Sequence, residues 1–374
     1  MIGISGSYGG LNLGDEAILS STVPQIRQVV PDAEIVVFTR NVEHTRRHHL
    51  VDRVLCPRDV LREEILPEIR RLDLLLLGGG GILYDYEAGA YLREVMIAHE
   101  LGIPTFAFAI GVGPLHDREE QRAVRDGLER MAGITVRETG ARRVLEEIGV
   151  RTPITVTADL AFLLEPEPGG EDLLRTGGLD PQNNLVALSL REAGGAAPDL
   201  SQSAYHALLA DTADYIIRRF DAQVVFIPME YADLREAHRV LGVMALPHRA
   251  RVLGFDYRPR QLLAMMPYFQ MAVGMRLHFL IFAALSGVPL MALPYASKVA
   301  DLISALGLPR RAAVPAERSG LFLADLDRLW DERHRQPPAV APRVEMLKAA
   351  ARRTMPLAAE VILPRTGGGP IVPV

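Results

Sequence analysis

Lysine is almost absent from this chain. Lys and Arg together make up 41 of its 374 residues, yet only Lys298 and Lys348 are lysines. An arginine side chain ends in a planar fork, whereas a lysine ends in a compact point charge that can sit against a small anion. Lys298 directly follows an apolar segment, so its retention indicates a site where the fork would not fit. Lys348 is interpreted as an incidental surface residue.

Other scarcities exclude whole classes of protein. The single cysteine, Cys56, excludes a disulfide framework and fits a reducing compartment. A net charge of −5 without a basic run predicts no nucleic-acid partner. The longest apolar tract, residues 277–294, contains His278, Gly287 and two prolines, so it predicts helix, turn and strand rather than a membrane span. The first residues lack the pattern of a signal peptide, and we expect a cytoplasmic protein.

The remaining composition is that of a globular α/β protein. Apolar segments alternate with amphipathic ones, which predicts parallel βαβ units, and the length predicts two domains. We predict two Rossmann-like doubly wound domains facing a cleft, at residues 1–164 and 185–343, with a linker at 165–184 and a C-terminal helix and loose tail at 344–374. The predicted strands are Met1–Ser5, Glu34–Phe38, Leu72–Leu77, Thr105–Ile110, Gly133–Val136, Ile154–Thr157, Leu185–Leu190, Gln223–Pro228, Arg251–Phe255, Met271–Gly274 and Pro289–Leu293.

Glycine-rich segments follow three of the predicted strands. They are residues 5–16, Gly78–Gly81 and 110–114. Glycine lets the backbone approach a ligand closely, although close packing of the next helix explains Gly78–Gly81 almost as well. Asp15 and Glu16 would either cap the following helix or contact sugar hydroxyls, and their charge suits a neutral sugar better than a phosphate.

Charged side chains follow other strands. Arg276 and His278 come after one predicted strand and Lys298 after the next, which suggests a pocket for a small anion with acid–base chemistry. Arg137 is a candidate partner for a carboxylate or phosphate, with an ion pair to Glu138 or Asp159 as the alternative. Tyr295 is either an aromatic wall for a sugar or part of the core.

Three histidines have helical spacing but do not predict a metal site. His44, His48 and His49 are interleaved with arginines, and no nearby cysteine or carboxylate completes a ligand set. A solvated helix face explains them better, and we predict no metal.

Taken in order, these segments resemble the polysaccharide pyruvyl transferase family. The resemblance rests on the motif at residues 6–19, the Gly78–Gly81 run, residues 110–114 and 136–138, Ala158-Asp159, Met275–His278 and residues 295–299. Within the family, the chain looks most similar to CsaB-type enzymes that pyruvylate cell-wall polymers. The resemblance implies a GT-B-like fold and transfer of the enolpyruvyl unit of phosphoenolpyruvate onto two sugar hydroxyls, giving a pyruvate ketal.

The resemblance also assigns roles to residues. It implies catalytic roles for Arg137, His278 and Lys298. Donor binding would involve the same three residues with Arg276 and Tyr295, and the acceptor-binding residues would be Tyr8, Asn12, Asp15, Gly79 and Gly80. Phosphoenolpyruvate is the donor and no cofactor is expected. The expected acceptor is a lipid-linked saccharide, met at the inner membrane face by a peripheral enzyme.

The sequence leaves two rival functions open. An ordinary GT-B glycosyltransferase would use a nucleotide sugar and often places a Glu against the donor ribose. Here the corresponding segment, residues 298–306, contains Asp301 but no Glu. A non-enzymatic sugar-binding protein is the third interpretation, and the set of Arg137, His278 and Lys298 counts against it.

Overall fold

The computed structural model describes residues 1–194, 197–254, 256–293, 296–309, 319–334 and 340–362. The chain divides into two compact units. The first contains Met1–Gly10, Leu19–Leu160 and the chain from Ala349 onward, and the second contains Leu11–Ile18 and Ala161–Lys348. Two segments therefore belong to the unit opposite to the one that chain order suggests: the start of the first helix, and the residues after Lys348.

The first unit is built on a sheet of seven parallel strands in the order β3-β2-β1-β4-β5-β6-β7. Its strands are β1 (Ile2–Ser5), β2 (Ile35–Phe38), β3 (Arg53–Leu55), β4 (Leu74–Leu83), β5 (Thr105–Val112), β6 (Gly133–Val136) and β7 (Ile154–Val156). Helices cover the sheet: α1 (Leu13–Val29), α2 (Val42–His48), α3 (Arg62–Arg70), α4 (Ala88–Glu100), α5 (Arg118–Leu128) and α6 (Thr139–Glu147). The central strands are apolar throughout and buried, as expected for a parallel sheet covered on both faces.

The second unit contains a sheet of five parallel strands in the order β10-β9-β8-β11-β12. The strands are β8 (Leu185–Ser189), β9 (Gln223–Phe226), β10 (Ala250–Val252), β11 (Phe269–Gly274) and β12 (Leu290–Ala292). Its helices are α7 (Gly170–Thr176), α8 (Gln202–Phe220), α9 (Tyr231–Val243), α10 (Pro259–Met265), α11 (Leu277–Leu285), α12 (Ser297–Ala305) and α13 (Ser319–Asp331). Two further helices, α14 (Val340–Arg352) and α15 (Thr354–Ala359), follow, and Thr354 of α15 donates to Thr157 of the first unit at 3.0 Å.

The structure confirms the α/β class and the two parallel sheets, and it corrects several local predictions. The linker predicted at residues 165–184 contains helix α7, and the short edge strand β3 has too few apolar residues to stand out in the sequence. Strand β4 continues through the glycine run, because Gly78 has a φ of +131° that lets the chain stay paired with β5. Phe255, Tyr295 and the tail at 366–374 lie outside the described residues.

Each sheet has one place where the chain reverses its direction of winding. In the first unit β1 and β4 are neighbours and lead to opposite sides of the sheet, and in the second unit β8 and β11 have this relation. Ligands of open α/β sheets bind beyond the carboxyl ends of strands at such a point. Each carboxyl edge is therefore a candidate ligand-binding site.

Candidate active site

The carboxyl edge of the second sheet holds the predicted Arg276, His278 and Lys298. Ser189 at the end of β8 pairs in register with Gly274 at the end of β11. Arg276 and His278 flank the start of α11, and Lys298 is the second residue of α12, which follows the adjacent strand. The topology thus places all three residues at one edge of one unit, beside the point of reversal.

Two carboxylates hold the guanidinium of Arg276. Its Nε donates to both oxygens of Asp233, at 2.9 and 3.2 Å, and its Nη2 donates to Asp233 and to Glu230. Asp233 is 1% exposed and also accepts a hydrogen bond from the backbone N–H of Met229 at 3.1 Å. Burial raises the pKa of Asp233 while the positive charge of Arg276 opposes the rise. Arg276 is therefore fixed in direction by the connection between β9 and α9.

The same connection holds the start of helix α1. Asn12 donates from Nδ2 to Glu230 at 2.9 Å, and its Oδ1 accepts from the N–H of Gly14 at 2.9 Å. The N–H of Leu13 donates to the carbonyl of Met229 at 2.8 Å. Asn12, predicted from the sequence as an acceptor residue, thus links the opening motif to the carboxylates that hold Arg276.

The imidazole of His278 packs against Gly14. A Cβ added at position 14 would lie 1.9 Å from Nδ1 of His278 and 2.5 Å from its Cγ, so no other residue fits there without moving the ring. His278 is half-buried. The glycine of the opening motif therefore serves to seat the histidine, which explains why two distant segments of the sequence belong to one site.

The two lysines have different surroundings. Lys298 is half-buried in the first turn of α12, where the backbone N–H groups of a helix N-terminus favour an anion. Lys348 forms an ion pair with Glu345 at 3.0 Å, one turn earlier on α14.

Arg137 lies at the carboxyl edge of the first sheet and is 7% exposed. Its Nε donates to Glu138 at 2.7 Å and its Nη1 to Asp159 at 2.9 Å, so both ion pairs that the sequence left as the alternative are present. Burial lowers the pKa of Arg137, but the two carboxylates outweigh that effect and raise it above its ordinary value. A Cβ at Gly111 would lie 2.7 Å from Nη2, so the glycine makes room for the guanidinium.

The predicted acceptor residues differ in exposure. Tyr8 is fully buried, and its hydroxyl donates to the carbonyl of Gly78, joining the loop after β1 to strand β4. Gly79 and Gly80 are buried within β4, whereas Asp15 is half-buried in the first turn of α1. Tyr8 therefore fills the point of reversal in the first sheet and shapes the loop that follows.

Sequence reasoning missed Glu230 and Asp233. Both lie where β9 leads into α9, the kind of strand exit at which the other charged candidates were found. Their position at a strand exit is visible in the sequence, but no glycine run accompanies these acids to mark it. Among the described residues, no group of three or more His, Cys, Asp or Glu side chains could hold a metal ion.

Solved structures define the fold class. The UDP-GlcNAc 2-epimerase of Methanocaldococcus jannaschii matches with a TM-score of 0.66 at 11% identity, covering 96% of this chain and 99% of the other. Anabaena HepE in complex with UDP-glucose matches with a TM-score of 0.62 at 14% identity, covering 96% and 98%. At these identities the likeness concerns the fold, which is of the GT-B type.

Sequence similarity identifies the family to which the chain belongs. The model of the polysaccharide pyruvyl transferase family matches residues 12–297, and the chain belongs to this family. It is also similar to the amylovoran biosynthesis protein AmsJ of Erwinia amylovora, with 21% identity over 296 residues, 76% of this chain and 71% of the relative. The protein is thus a transferase with a pyruvyl transferase role in polysaccharide biosynthesis. No helix in the described ranges is long and apolar enough to cross a membrane.

Proposed function

We propose that the chain transfers the enolpyruvyl unit of phosphoenolpyruvate onto two hydroxyls of one sugar, forming a pyruvate ketal and releasing phosphate. The observation that carries the proposal is the grouping of Arg276, His278 and Lys298 at one carboxyl edge. A donor with a carboxylate and a phosphate close together needs cations of two shapes and a group that moves protons. That edge supplies all of these.

His278 is the proposed acid and base. Its protonated ring gives a proton to the methylene carbon of phosphoenolpyruvate, and the resulting cation at the neighbouring carbon is captured by the first sugar hydroxyl. The proton of that hydroxyl returns to His278. The second hydroxyl then displaces phosphate from the same carbon, and its proton leaves with the phosphate. The packing of the imidazole against Gly14 limits where the ring can lie during these steps.

The proposed roles of the two cations follow from their settings. Asp233 and Glu230 fix the orientation of the planar guanidinium of Arg276. Lys298 in the first turn of α12 would face the more compact anion with the help of that helix N-terminus. Arg137 remains a predicted donor residue, and Asp15 a predicted acceptor residue. Tyr295, which lies outside the described residues, stays a predicted donor-binding residue.

A ligand-binding experiment separates this function from nucleotide-sugar transfer. We expect phosphoenolpyruvate to raise the melting temperature, because a ligand that binds the native state stabilises it by mass action. UDP and UDP-sugars should neither replace phosphoenolpyruvate as the donor nor compete with it for binding. Stabilisation by UDP-sugars with no response to phosphoenolpyruvate would favour a glycosyltransferase, and no response to either would favour a binding protein that is not an enzyme.

The acceptor in this proposal is a saccharide of a cell-wall or exopolysaccharide precursor carried on a lipid. Comparing the precursor with finished polymer as substrates tests this part separately. Full activity that appears only on finished polymer would contradict a precursor acceptor while leaving the donor chemistry intact.

A further inference from the structure

One arginine of the first unit is placed differently from Arg137. Arg40 lies two residues after the end of β2. Its guanidinium lies over the ring of Tyr91, 5.5 Å from the ring centre, and donates to the Tyr91 hydroxyl. Within the described ranges, no Asp or Glu forms an ion pair with it. The aromatic ring fixes the plane of this half-buried cation but leaves its charge uncompensated.

The glycine loop after β1 lies against this arginine. A Cβ at Gly9 would come within 2.6 Å of the backbone N of Asn41 and 2.2 Å of the Thr39 hydroxyl, so the loop packs tightly onto the end of β2. A Cβ at Gly10 would have Nη1 of Arg40 as its nearest neighbour, at 3.4 Å. Gly10 is exposed, and its backbone N–H donates to no group in the described part of the chain.

We propose that Arg40, held in place by Tyr91, and the amide of Gly10 form a binding site for a phosphate ester, occupied by the diphosphate group of the saccharide acceptor. A fixed guanidinium fork beside a free amide of a glycine loop is suited to phosphate oxygens. The site lies at the carboxyl ends of β1 and β2, the edge where this fold class binds ligands. The identity of the occupant rests on the proposed function, but the anion site itself does not.

Arg40 and the glycine loop belong to the same unit and the same sheet edge. An acceptor made of a sugar joined to a diphosphate presents a phosphate ester to such a site. The fork of Arg40 matches a carboxylate as well as a phosphate, but the loop amide adds a further donor, which suits the additional oxygens of a phosphate ester.

Inorganic pyrophosphate is the first probe, titrated calorimetrically into the full-length protein. We expect Arg40→Ala to weaken its binding about 10–100-fold, the effect of losing a charge-assisted hydrogen-bonding pair. Arg40→Lys, which keeps the charge without the fork, should give an intermediate loss. The control is Arg130→Ala, because Arg130 is an exposed arginine of the same unit that donates to the carbonyl of His99. It should bind pyrophosphate as the unchanged protein does, and melting temperatures confirm that each variant is folded.

Two further arms identify the occupant. Saturating phosphoenolpyruvate should leave pyrophosphate binding unchanged, and a sugar diphosphate should bind more tightly than the same sugar without it, with the advantage lost in Arg40→Ala. The proposal is overturned if pyrophosphate binds Arg40→Ala as it binds the unchanged protein, or if phosphoenolpyruvate competes with it. A protein that binds pyrophosphate through Arg40 but never consumes phosphoenolpyruvate would refute the proposed reaction and not this site.

Discussion

Arg137 and Arg276 occupy equivalent places in the two units but are held in different ways. Each follows a parallel strand, and each is bound by two carboxylates. The side chain of Arg137 is 3% exposed, and its partners are its chain neighbour Glu138 and Asp159. The side chain of Arg276 is 12% exposed, and its partner Glu230 also binds Asn12.

The two sets of ion pairs connect different parts of the chain. The ion pairs of Arg137 join the exits of β6 and β7 to each other, which ties neighbouring parts of one sheet. Those of Arg276 reach a separate segment, the start of α1, whose Gly14 seats His278. We infer that the first network mainly stabilises its unit, whereas the second positions His278, the proposed acid and base.

Replacing His278, the proposed acid and base, should have the largest effect. His278→Ala should lower kcat by about 10²–10⁴-fold, the usual contribution of a positioned acid or base. Its melting temperature should change little, because the ring is half-buried and packs against a glycine. Turnover and melting temperature are measured on the same preparation. A drop in stability with unchanged activity per folded molecule would show that His278 is a core residue. The contrast between the Arg137 and Arg276 networks would then not hold.

Arg137→Met should act mainly on stability. Removing one partner of a buried ion pair leaves uncompensated charge, at a cost of about 3–5 kcal/mol in the free energy of unfolding. Urea unfolding measures that loss, and kinetics at low temperature measure the KM for phosphoenolpyruvate. A loss of stability alone would support the contrast with Arg276. A large rise in KM would instead support the donor-binding role predicted from the sequence.

Gly14→Ala tests whether the seat of His278 matters. The added Cβ would overlap the imidazole, and displacing a catalytic group by about 1 Å can cost on the order of 10²-fold in rate. Gly242→Ala is the matched control, since a Cβ at that exposed helical position has no atom within 4 Å. The control should keep full activity and gain stability slightly, because alanine favours a helix. Equal activity in both variants would contradict the packing argument.

Lys298→Arg tests the argument from lysine scarcity. We expect about a tenfold lower kcat/KM, or about 1.4 kcal/mol of transition-state stabilisation, because the fork does not replace a compact ammonium. Lys348→Arg, in the ion pair with Glu345, should be unaffected. If both variants behave alike, the retention of Lys298 has no functional meaning.

The smallest effect concerns Glu94, a buried carboxyl group of the first unit. Burial raises its pKa above the ordinary value of 4.5, and the hydrogen bond that Ser5 donates at 3.1 Å opposes the rise. The folded chain therefore holds this proton more tightly than the unfolded chain. Its contribution to stability is complete below pH 4.5 and is lost as the pH rises through the folded pKa.

Glu94→Gln should remove this dependence while keeping an acceptor for Ser5. The variant should melt at a higher temperature than the unchanged protein at pH 8, and the difference should shrink as the pH falls towards 4.5. Asp233, which has Arg276 as a partner, offers no such gain on conversion to Asn. A difference that stays constant with pH would show that Glu94 does not titrate in this range.

The sequence predicted most of the fold because parallel strands buried on both faces are apolar throughout. It failed where that signal is weak: β3 has three residues, and glycines hide the extension of β4. The predicted linker contained helix α7, whose start at Gly169 and Gly170 resembles a loop. Glycine permits both a turn and a tight contact, so composition alone does not distinguish them.

The sequence predicted the charged residues and the histidine of the candidate site, but not the contacts that hold them. Arg276, His278 and Lys298 stand out because they follow strands, and the resemblance to the family adds their roles. The carboxylates of Glu230 and Asp233, and the seat that Gly14 provides, depend on which segments meet in three dimensions. Such pairings join residues between 43 and more than two hundred positions apart, and they leave no local pattern in a single sequence.

Product analysis tests the central claim most directly. The protein is incubated with phosphoenolpyruvate and a lipid-linked saccharide precursor, and released phosphate and new ketal are quantified together, the ketal by NMR. We predict equal amounts of phosphate and ketal, with both lost in His278→Ala. Phosphate release without ketal, or ketal formation that His278→Ala leaves intact, would contradict the reaction proposed for this site.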